Sequence, residues 1–269
     1  ALEEVMRSLP QASGPGLTQL RFEHMGEIDV SGGREAIKNA VQLLVSNQVP
    51  EEILPWLMGA RLIALAKLQG GVRPIAVGDV LRRIAGKVIC AQYKEQFAVR
   101  FCPPPRPGAP SSAAQVGVAT PGGAEMAPHL VRTLLGANPS WCAALLDCKN
   151  AYNELYRAAI LDAVADMFPD LLPAAEACLR RPAWLGWRDA TGAFRWIPSE
   201  EGAQQGDPLG PMFMAAPMQP HLEATLEAFP DVYLIAYLDD VTLVGDPARV
   251  RAAMGFLAPR LESIGLRLN

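Results

Sequence analysis

The sequence predicts an α+β fold, in which helices and strands follow one another without the strict alternation of a parallel α/β protein. Two short, largely apolar runs that end in aspartate, Trp141–Leu146 and Asp231–Leu238, are typical of buried strands. Elsewhere apolar residues recur at helical spacing, as over Gly33–Val45. Half of the 269 residues are hydrophobic, which is enough to bury a large core and excludes a disordered chain.

The first hundred residues are predicted to be mostly helical, with one strand. A helix over Gly33–Val45 is followed by a second that begins at Pro50, where proline occupies the first position and acidic residues fill the first turn. Ile63–Lys67 reads as a strand, and Gly70–Gly71 as the turn that ends it. Val80–Val99 is predicted to be a single long helix.

The segment after this helix changes character. Five prolines within Pro103–Pro110 predict an extended connector, because proline has no amide donor and its fixed φ opposes a helix. A further helix is predicted near Glu125–Leu135. The strand Asp231–Leu238 lies so close to the apolar run Val241–Val244 that only a tight hairpin can join them.

Charge is unevenly distributed along the chain. The net charge is −4, yet residues 61–106 contain nine basic and two acidic side chains. Such a basic block is what binding to phosphate groups requires, although a solvated helix face explains it equally well. The basic residues of this block are Arg61, Lys67, Arg73, Arg82, Arg83, Lys87, Lys94, Arg100 and Arg106.

The remaining composition restricts the class of protein. The five cysteines show no close pairing, which favours reduced, intracellular thiols over a disulfide framework or a zinc module. The most apolar stretch, Trp56–Leu68, is interrupted by Arg61 and Lys67, so we expect no membrane span. Neither a secretory signal nor an initiating methionine is present, and we expect the chain to be a piece of a longer reading frame.

Three carboxylates at strand ends form the candidate site. Asp147 follows the first predicted strand, and Asp239 and Asp240 lie at the tip of the hairpin. Carboxylates beside a buried strand are costly unless a cation neutralises them, and hard oxygen ligands suit Mg²⁺. Taken alone, the Asp239–Asp240 pair fits an ordinary polar turn better, since aspartate is common in turns.

Tyr237–Asp240 matches the Tyr-x-Asp-Asp motif of reverse transcriptases, and other segments resemble further motifs of that family in the family's order. Their order favours the enzymes of non-LTR (LINE-type) retrotransposons over retroviral ones. These segments are Ala12–Gly16, Lys67–Ala76, Gln115–Gly117 with Pro121–Glu125, Leu145–Asn153 and Gln204–Pro211.

The resemblance implies the fingers and palm of a right-hand polymerase, with an antiparallel palm sheet flanked by helices. By this analogy the fingers comprise roughly residues 1–75 and 156–202, and the palm roughly residues 76–155 and 203–269. The family's thumb and a possible endonuclease are expected in the remaining parts of a longer polyprotein. An intracellular location follows from the family, and the nucleus is plausible for a retroelement enzyme.

The resemblance also assigns the chemistry. Asp147 and Asp239 would be the main ligands of two Mg²⁺ ions, for which Mn²⁺ could substitute, and Asp240 would be an accessory ligand. The carbonyl of Cys148 would assist them. The implied reaction is transfer of a nucleotide from a dNTP to the 3′-OH of a DNA primer on an RNA template.

Other residues are implied to bind the incoming nucleotide. The ring of Tyr152 would exclude a 2′-hydroxyl by steric clash. Gln205 and Gly206 would lie against the nucleotide, and Lys67 and Arg73 would reach its triphosphate. Next to this motif, Asp207 and Pro208 are predicted to cap and begin a helix.

Two alternatives stay open from the sequence. A catalytically inactive, nucleic-acid-binding relic is suggested by Pro217, which falls inside the predicted helix after Pro208. An RNA-dependent RNA polymerase would share the palm chemistry, but Tyr152 argues against it.

Overall fold

A computed structural model describes residues 1–66, 70–103 and 114–269. Lys67 and the proline-rich run beyond Pro103 lie outside the described residues. The helices are α1 (Leu2–Arg7), α2 (Phe22–Ile28), α3 (Arg34–Val45), α4 (Leu54–Leu57), α5 (Val80–Gln92), α6 (Lys94–Phe101), α7 (Gly123–Ala137), α8 (Ala151–Glu154), α9 (Arg157–Met167), α10 (Leu172–Leu179), α11 (Gly210–Ala228) and α12 (Pro247–Glu262). The strands are β1 (Ala60–Ala66), β2 (Val72–Gly78), β3 (Ala114–Gln115), β4 (Cys142–Leu146), β5 (Ala183–Arg188), β6 (Phe194–Ser199), β7 (Tyr233–Tyr237) and β8 (Asp240–Gly245).

The mixed α+β class is confirmed, and the chain divides into two compact units. The first unit consists of residues 1–92 and 164–210. Its sheet has the order β2-β1-β5-β6, in which only the β1–β5 pair is parallel. α3 buries Ile37, Val41 and Leu44, which form one stripe because they are four and three residues apart. That helix packs on α5 and α10.

The second unit consists of residues 93–163 and 211–269. Its sheet has the order β3-β7-β8-β4; β7, β8 and β4 are antiparallel, and β3 pairs parallel with β7. α7 and α12 pack against this sheet. The assignment of fingers and palm to residue ranges stays a prediction.

The long helix predicted over Val80–Val99 is wrong, because the chain forms two helices, α5 and α6. Tyr93 separates them with φ −98° and ψ 7°, which is not helical geometry. The interruption lets α6 bury Phe97 and Phe101, which are 2% and 0% exposed. A helical pattern of apolar residues does not reveal such a break, since both helices keep the same period.

Two predicted helix starts are also displaced. The helix expected from Pro50 forms only as α4, because the chain first makes a turn in which the Leu54 amide donates to the Pro50 carbonyl at 3.0 Å. The helix expected from Pro208 begins at Gly210 and continues through Pro217 and Pro220. Pro217 is buried, so packing around α11 compensates for the hydrogen bond that proline removes. None of the described helices is long and apolar enough to cross a membrane.

Candidate active site

Three carboxylates meet at one end of the sheet in the second unit. Asp240 is the first residue of β8, and Asp239 lies in the two-residue loop that joins β7 to β8. Asp147 directly follows β4, whose last residue, Leu146, pairs with Val241 of β8. One further step of that antiparallel register sets Asp147 opposite Asp240, a position at which paired Cα atoms are about 4.5–5.5 Å apart.

The surrounding groups respond to this concentration of negative charge. Burial, and then the charge of Asp147, raises the pKa of the Asp240 carboxyl. Burial and the charges of Asp239, Asp147 and Asp240, in that order, raise the pKa of the Cys148 thiol to about 12. A single thiol is thus close enough to all three carboxylates to be affected by each.

The donor chemistry fits a divalent cation. Hard carboxylate oxygens are the ligands that a small dication such as Mg²⁺ prefers. Within residues 1–66, 70–103 and 114–269, however, no three histidine, cysteine or acidic side chains already converge as a metal cluster.

Asp147 is held in place by hydrogen bonds from Asn269. The Asn269 side-chain amide donates to Asp147 Oδ2 at 2.5 Å, and the Asn269 backbone amide donates to the Asp147 carbonyl at 2.9 Å. The neighbouring Lys149 amide donates to the Arg267 carbonyl at 2.8 Å. Sequence reasoning missed Asn269, since no pattern links residues that are 122 positions apart.

Gln115 is a second residue of the site that could not be identified from the sequence. Its side chain is completely buried and bonds to both backbone polar groups of Leu238, the residue before Asp239. The only available signal was its position in the Gln115–Gly117 segment, to which the resemblance gave no chemical role.

Tyr152 lies near Asp239. It is half-buried on the short helix α8, which begins four residues after Asp147. Burial raises the pKa of its phenol, and the charge of Asp239 and the neighbouring Tyr237 raise it further. The second unit thus brings together Asp147, Cys148, Tyr152 and the Asp239–Asp240 pair.

The first unit contains the other described candidate residues. Arg73 is exposed on β2, where it pairs with Leu65 of β1. Farther along the same strand, the Ala76 amide donates to the Gln205 carbonyl at 3.0 Å. Gly206 has φ +111°, and a Cβ there would lie 3.1 Å from the Ala76 carbonyl oxygen, so the loop requires glycine at this point. Lys67 falls outside the described residues.

A buried ion pair supports the loop that contains Gln205 and Gly206. Arg82 Nη2 lies 2.5 Å from Asp207 Oδ2, and both side chains are 3% exposed. The other Asp207 oxygen accepts the Leu209 amide at 2.8 Å in the turn before α11, so Asp207 caps this turn and not the helix itself, which begins at Gly210. Arg82 and the Gln204 side chain both donate to the Met58 carbonyl. Arg82 is therefore buried and structural, and its placement in a basic block that binds phosphate or forms a solvated helix face is wrong.

The chain is similar to known proteins over most of its length. Residues 65–269 match a family described as reverse transcriptase (RNA-dependent DNA polymerase). The retrotransposable element SLACS 132 kDa protein of Trypanosoma brucei gambiense is 25% identical over 268 residues, which cover 98% of this chain and 22% of that protein. The chain therefore spans about a fifth of the length of this curated relative.

Solved telomerase structures resemble the chain in fold. Apo telomerase from Candida tropicalis, truncated from its C-terminal domain, superposes with a TM-score of 0.55 at 14% identity and covers 79% of this chain and 49% of that chain. Telomerase from Candida albicans, solved in complex with a TWJ fragment of telomeric RNA, gives a TM-score of 0.52 at 13% identity, with 82% and 42% covered. At these identities the likeness shows the fold alone.

Proposed function

This chain belongs to the reverse transcriptase family, and on that premise we propose that it is the catalytic core of an RNA-directed DNA polymerase from a non-LTR retroelement. It extends a primer 3′-OH with dNTPs on an RNA template. The observation that carries this proposal is the grouping of Asp147, Asp239 and Asp240 at one end of an antiparallel sheet.

The carboxylates provide the metal-binding part of the site. Asp147 and Asp239 would hold two Mg²⁺ ions, or Mn²⁺ in their place, with Asp240 as the accessory ligand and the Cys148 carbonyl as a further oxygen donor. The ions supply Lewis acidity to the attacking 3′-oxygen and to the leaving pyrophosphate. Asp147 is kept in one orientation by the two hydrogen bonds from Asn269, which supports its role as a fixed ligand.

The remaining residues select and orient the nucleotide. The half-buried ring of Tyr152 packs against the sugar and leaves no room for a 2′-hydroxyl. Arg73 pairs with the triphosphate oxygens, because a guanidinium can bind two of them at once, and Lys67 assists. The backbone at Gln205 and Gly206 lies close to the nucleotide, an approach that the absence of a side chain at Gly206 permits.

The partners follow from the same chemistry. The RNA template, the DNA primer and dNTPs are the substrates, and the remaining parts of a longer polyprotein supply the thumb. The similarity to the SLACS retrotransposable element protein, of which this chain matches 22%, supports a larger multidomain context. We propose an intracellular location, with the nucleus as the site expected for a retroelement enzyme.

One observation favours a second candidate, an inactive nucleic-acid-binding relic. Pro217 lies inside α11, where proline removes a backbone hydrogen bond. Retention of all three aspartates argues for an active enzyme instead.

Primer extension on an RNA template tests the proposal. The full-length protein is assayed with dNTPs or rNTPs, with and without Mg²⁺, beside Asp239→Ala and Asp147→Ala. Asp162→Ala is the matched control, because Asp162 is an exposed aspartate of the same unit on α9. Extension that requires dNTPs, Mg²⁺ and both site aspartates, but not Asp162, supports a polymerase. Tight RNA binding without extension would support the relic.

A further inference from the structure

The loop that contains Asp239 has a conformation that its sequence does not favour. Leu238, the first of the two loop residues between β7 and β8, has φ +57°. A leucine in this left-handed region is uncommon, because its Cβ crowds the backbone, and such a residue persists only where its surroundings hold it. The conformation of Leu238 sets the direction in which the chain enters Asp239.

The Gln115 side chain provides that restraint. Its Nε2 donates to the Leu238 carbonyl at 2.9 Å, and its Oε1 accepts the Leu238 amide at 2.6 Å. One amide side chain thus satisfies both backbone groups of a residue 123 positions away. Gln115 itself is 0% exposed, so water does not replace these bonds.

Gln115 is itself held by strand pairing. It belongs to β3, which pairs with β7, and the following Val116 amide donates to the Ala236 carbonyl at 2.8 Å. Gly117 lies so close to the loop that a Cβ there would be 2.8 Å from the Leu238 amide nitrogen and its side chain. The segment Gln115–Gly117 therefore contacts Leu238 at both ends, through the side chain of Gln115 and through the backbone of Gly117.

We propose that Gln115 is a positioning residue, which holds Leu238 in its left-handed conformation and so fixes the carboxylate of Asp239 for catalysis. The proposal rests on the proposed function only in treating Asp239 as catalytic. Gln115 itself touches neither substrate nor metal. It acts through Leu238, and its loss lets the loop relax toward conformations in which Asp239 points elsewhere.

A coupling experiment on full-length protein tests the proposal. Gln115→Ala is expected to lower kcat of primer extension about 10- to 100-fold and to raise the Mg²⁺ concentration for half-maximal activity, because small displacements of a reacting group are costly. Leu238→Gly adopts a positive φ without strain. In a Leu238→Gly background, the same Gln115→Ala change is therefore expected to lower kcat less than threefold.

A second readout is independent of activity. Hydrogen exchange of the β7–β8 hairpin is expected to rise in Gln115→Ala and to stay unchanged in Thr225→Val. Thr225 is the matched control, because it is a fully buried polar residue of the same unit whose hydroxyl donates to the His221 carbonyl.

The two readouts separate the possible failures. Equal losses of kcat from Gln115→Ala in both backgrounds, or unchanged exchange in the hairpin, would overturn the positioning role. If the unaltered protein extends no primer, the exchange measurement still decides whether Gln115 holds the loop, while the proposed function fails on its own.

Discussion

In the proposed function, Tyr152 is the residue that discriminates between sugars. Replacing it by alanine removes the ring that is expected to clash with a 2′-hydroxyl. We therefore expect Tyr152→Ala to lower the preference for dNTPs over rNTPs, measured as the ratio of their kcat/KM values, by about 10- to 100-fold, since 1.36 kcal/mol corresponds to a factor of ten.

Tyr152→Phe is the control for that change. It keeps the ring and removes only the hydroxyl, whose pKa the burial and the charge of Asp239 raise. The preference for dNTPs should remain within about twofold of the unaltered protein, a difference that corresponds to less than 0.5 kcal/mol. A loss of sugar selection in Tyr152→Phe would mean that the hydroxyl, rather than the ring, makes the distinction.

The residues of the site differ in how far the sequence could predict them. Asp147, Asp239 and Asp240 could be found, because they belong to motifs that follow in the family's order, although the Asp239–Asp240 pair alone fits a polar turn better. Gln115 and Asn269 could not, since each acts through hydrogen bonds across more than 120 positions, and an isolated amide side chain has no pattern. The burial of Arg82 could not be predicted for a related reason, because nothing in a basic block indicates that one arginine forms a buried ion pair with Asp207.

At the scale of elements, the Arg82–Asp207 pair joins α5 to the loop before α11. Both side chains are 3% exposed, so removing one leaves a buried charge without its counterion. Arg82→Met is expected to reduce the free energy of unfolding by about 3–5 kcal/mol, measured by urea denaturation.

The double variant Arg82→Met with Asp207→Leu serves as the control for the ion pair. It removes both charges and should recover part of that loss, because a buried pair replaced by apolar residues of similar volume is often no less stable. Recovery is expected to be incomplete, as Asp207 also accepts the Leu209 amide. If the double variant lost the sum of the two single effects, the two side chains would be acting independently.

Two aromatic rings of β6 pack against Gly186 of β5. A Cβ at Gly186 would lie 2.5 Å from Phe194 Cε1 and 2.9 Å from Trp196 Cζ3, and these two rings contact edge to face with centroids 4.7 Å apart. Gly186→Ala is therefore expected to lower the free energy of unfolding by about 1–3 kcal/mol, as overpacking does.

Gly255→Ala provides the matched control for this substitution. Gly255 lies within α12, and nothing lies within 4 Å of a Cβ placed there. Because alanine favours a helix over glycine, Gly255→Ala should raise stability by about 0.5–1 kcal/mol in the same denaturation experiment. A stability unchanged by Gly186→Ala would mean that the Phe194 and Trp196 rings move aside freely.

Elements with one dominant local signal were predicted well, and those set by packing were not. α3 and the β7–β8 hairpin follow from apolar spacing and from the short connection between the strands. The break at Tyr93 between α5 and α6 follows instead from the burial of Phe97 and Phe101, which the local sequence does not encode.

For the whole molecule, the order of motifs predicted more than any single element did. The family match covers residues 65–269, and the mixed α+β class agrees with the fold of the telomerase structures. The assignment of the chain to fingers and palm stays a prediction, because motif order places functional segments along the chain but does not fix unit boundaries. The chain passes from the first compact unit to the second after Gln92, returns to the first after Ala163, and enters the second again after Gly210.

The proposed metal site predicts that the stability of the whole protein depends on divalent metal. Burial, and then the charge of Asp147, raises the pKa of the Asp240 carboxyl, so its ionised form is disfavoured unless a cation neutralises it. A ligand that binds only the folded state stabilises it by about 1.4 kcal/mol at ten times its Kd. Mg²⁺ is therefore expected to raise the Tm of the protein in a saturable way, measured by differential scanning calorimetry.

Substitution of Asp239 separates metal binding from a general salt effect. Asp239→Asn should reduce the Mg²⁺-dependent rise in Tm by more than half, because it removes a proposed ligand while keeping the size of the side chain. Asp231→Asn should leave that rise unchanged, since Asp231 is an exposed aspartate whose carboxylate pairs with Arg249. Equal responses of the two variants to Mg²⁺ would show that the cation acts through the general charge of the protein, and the carboxylates at the sheet end would then need another explanation for their proximity.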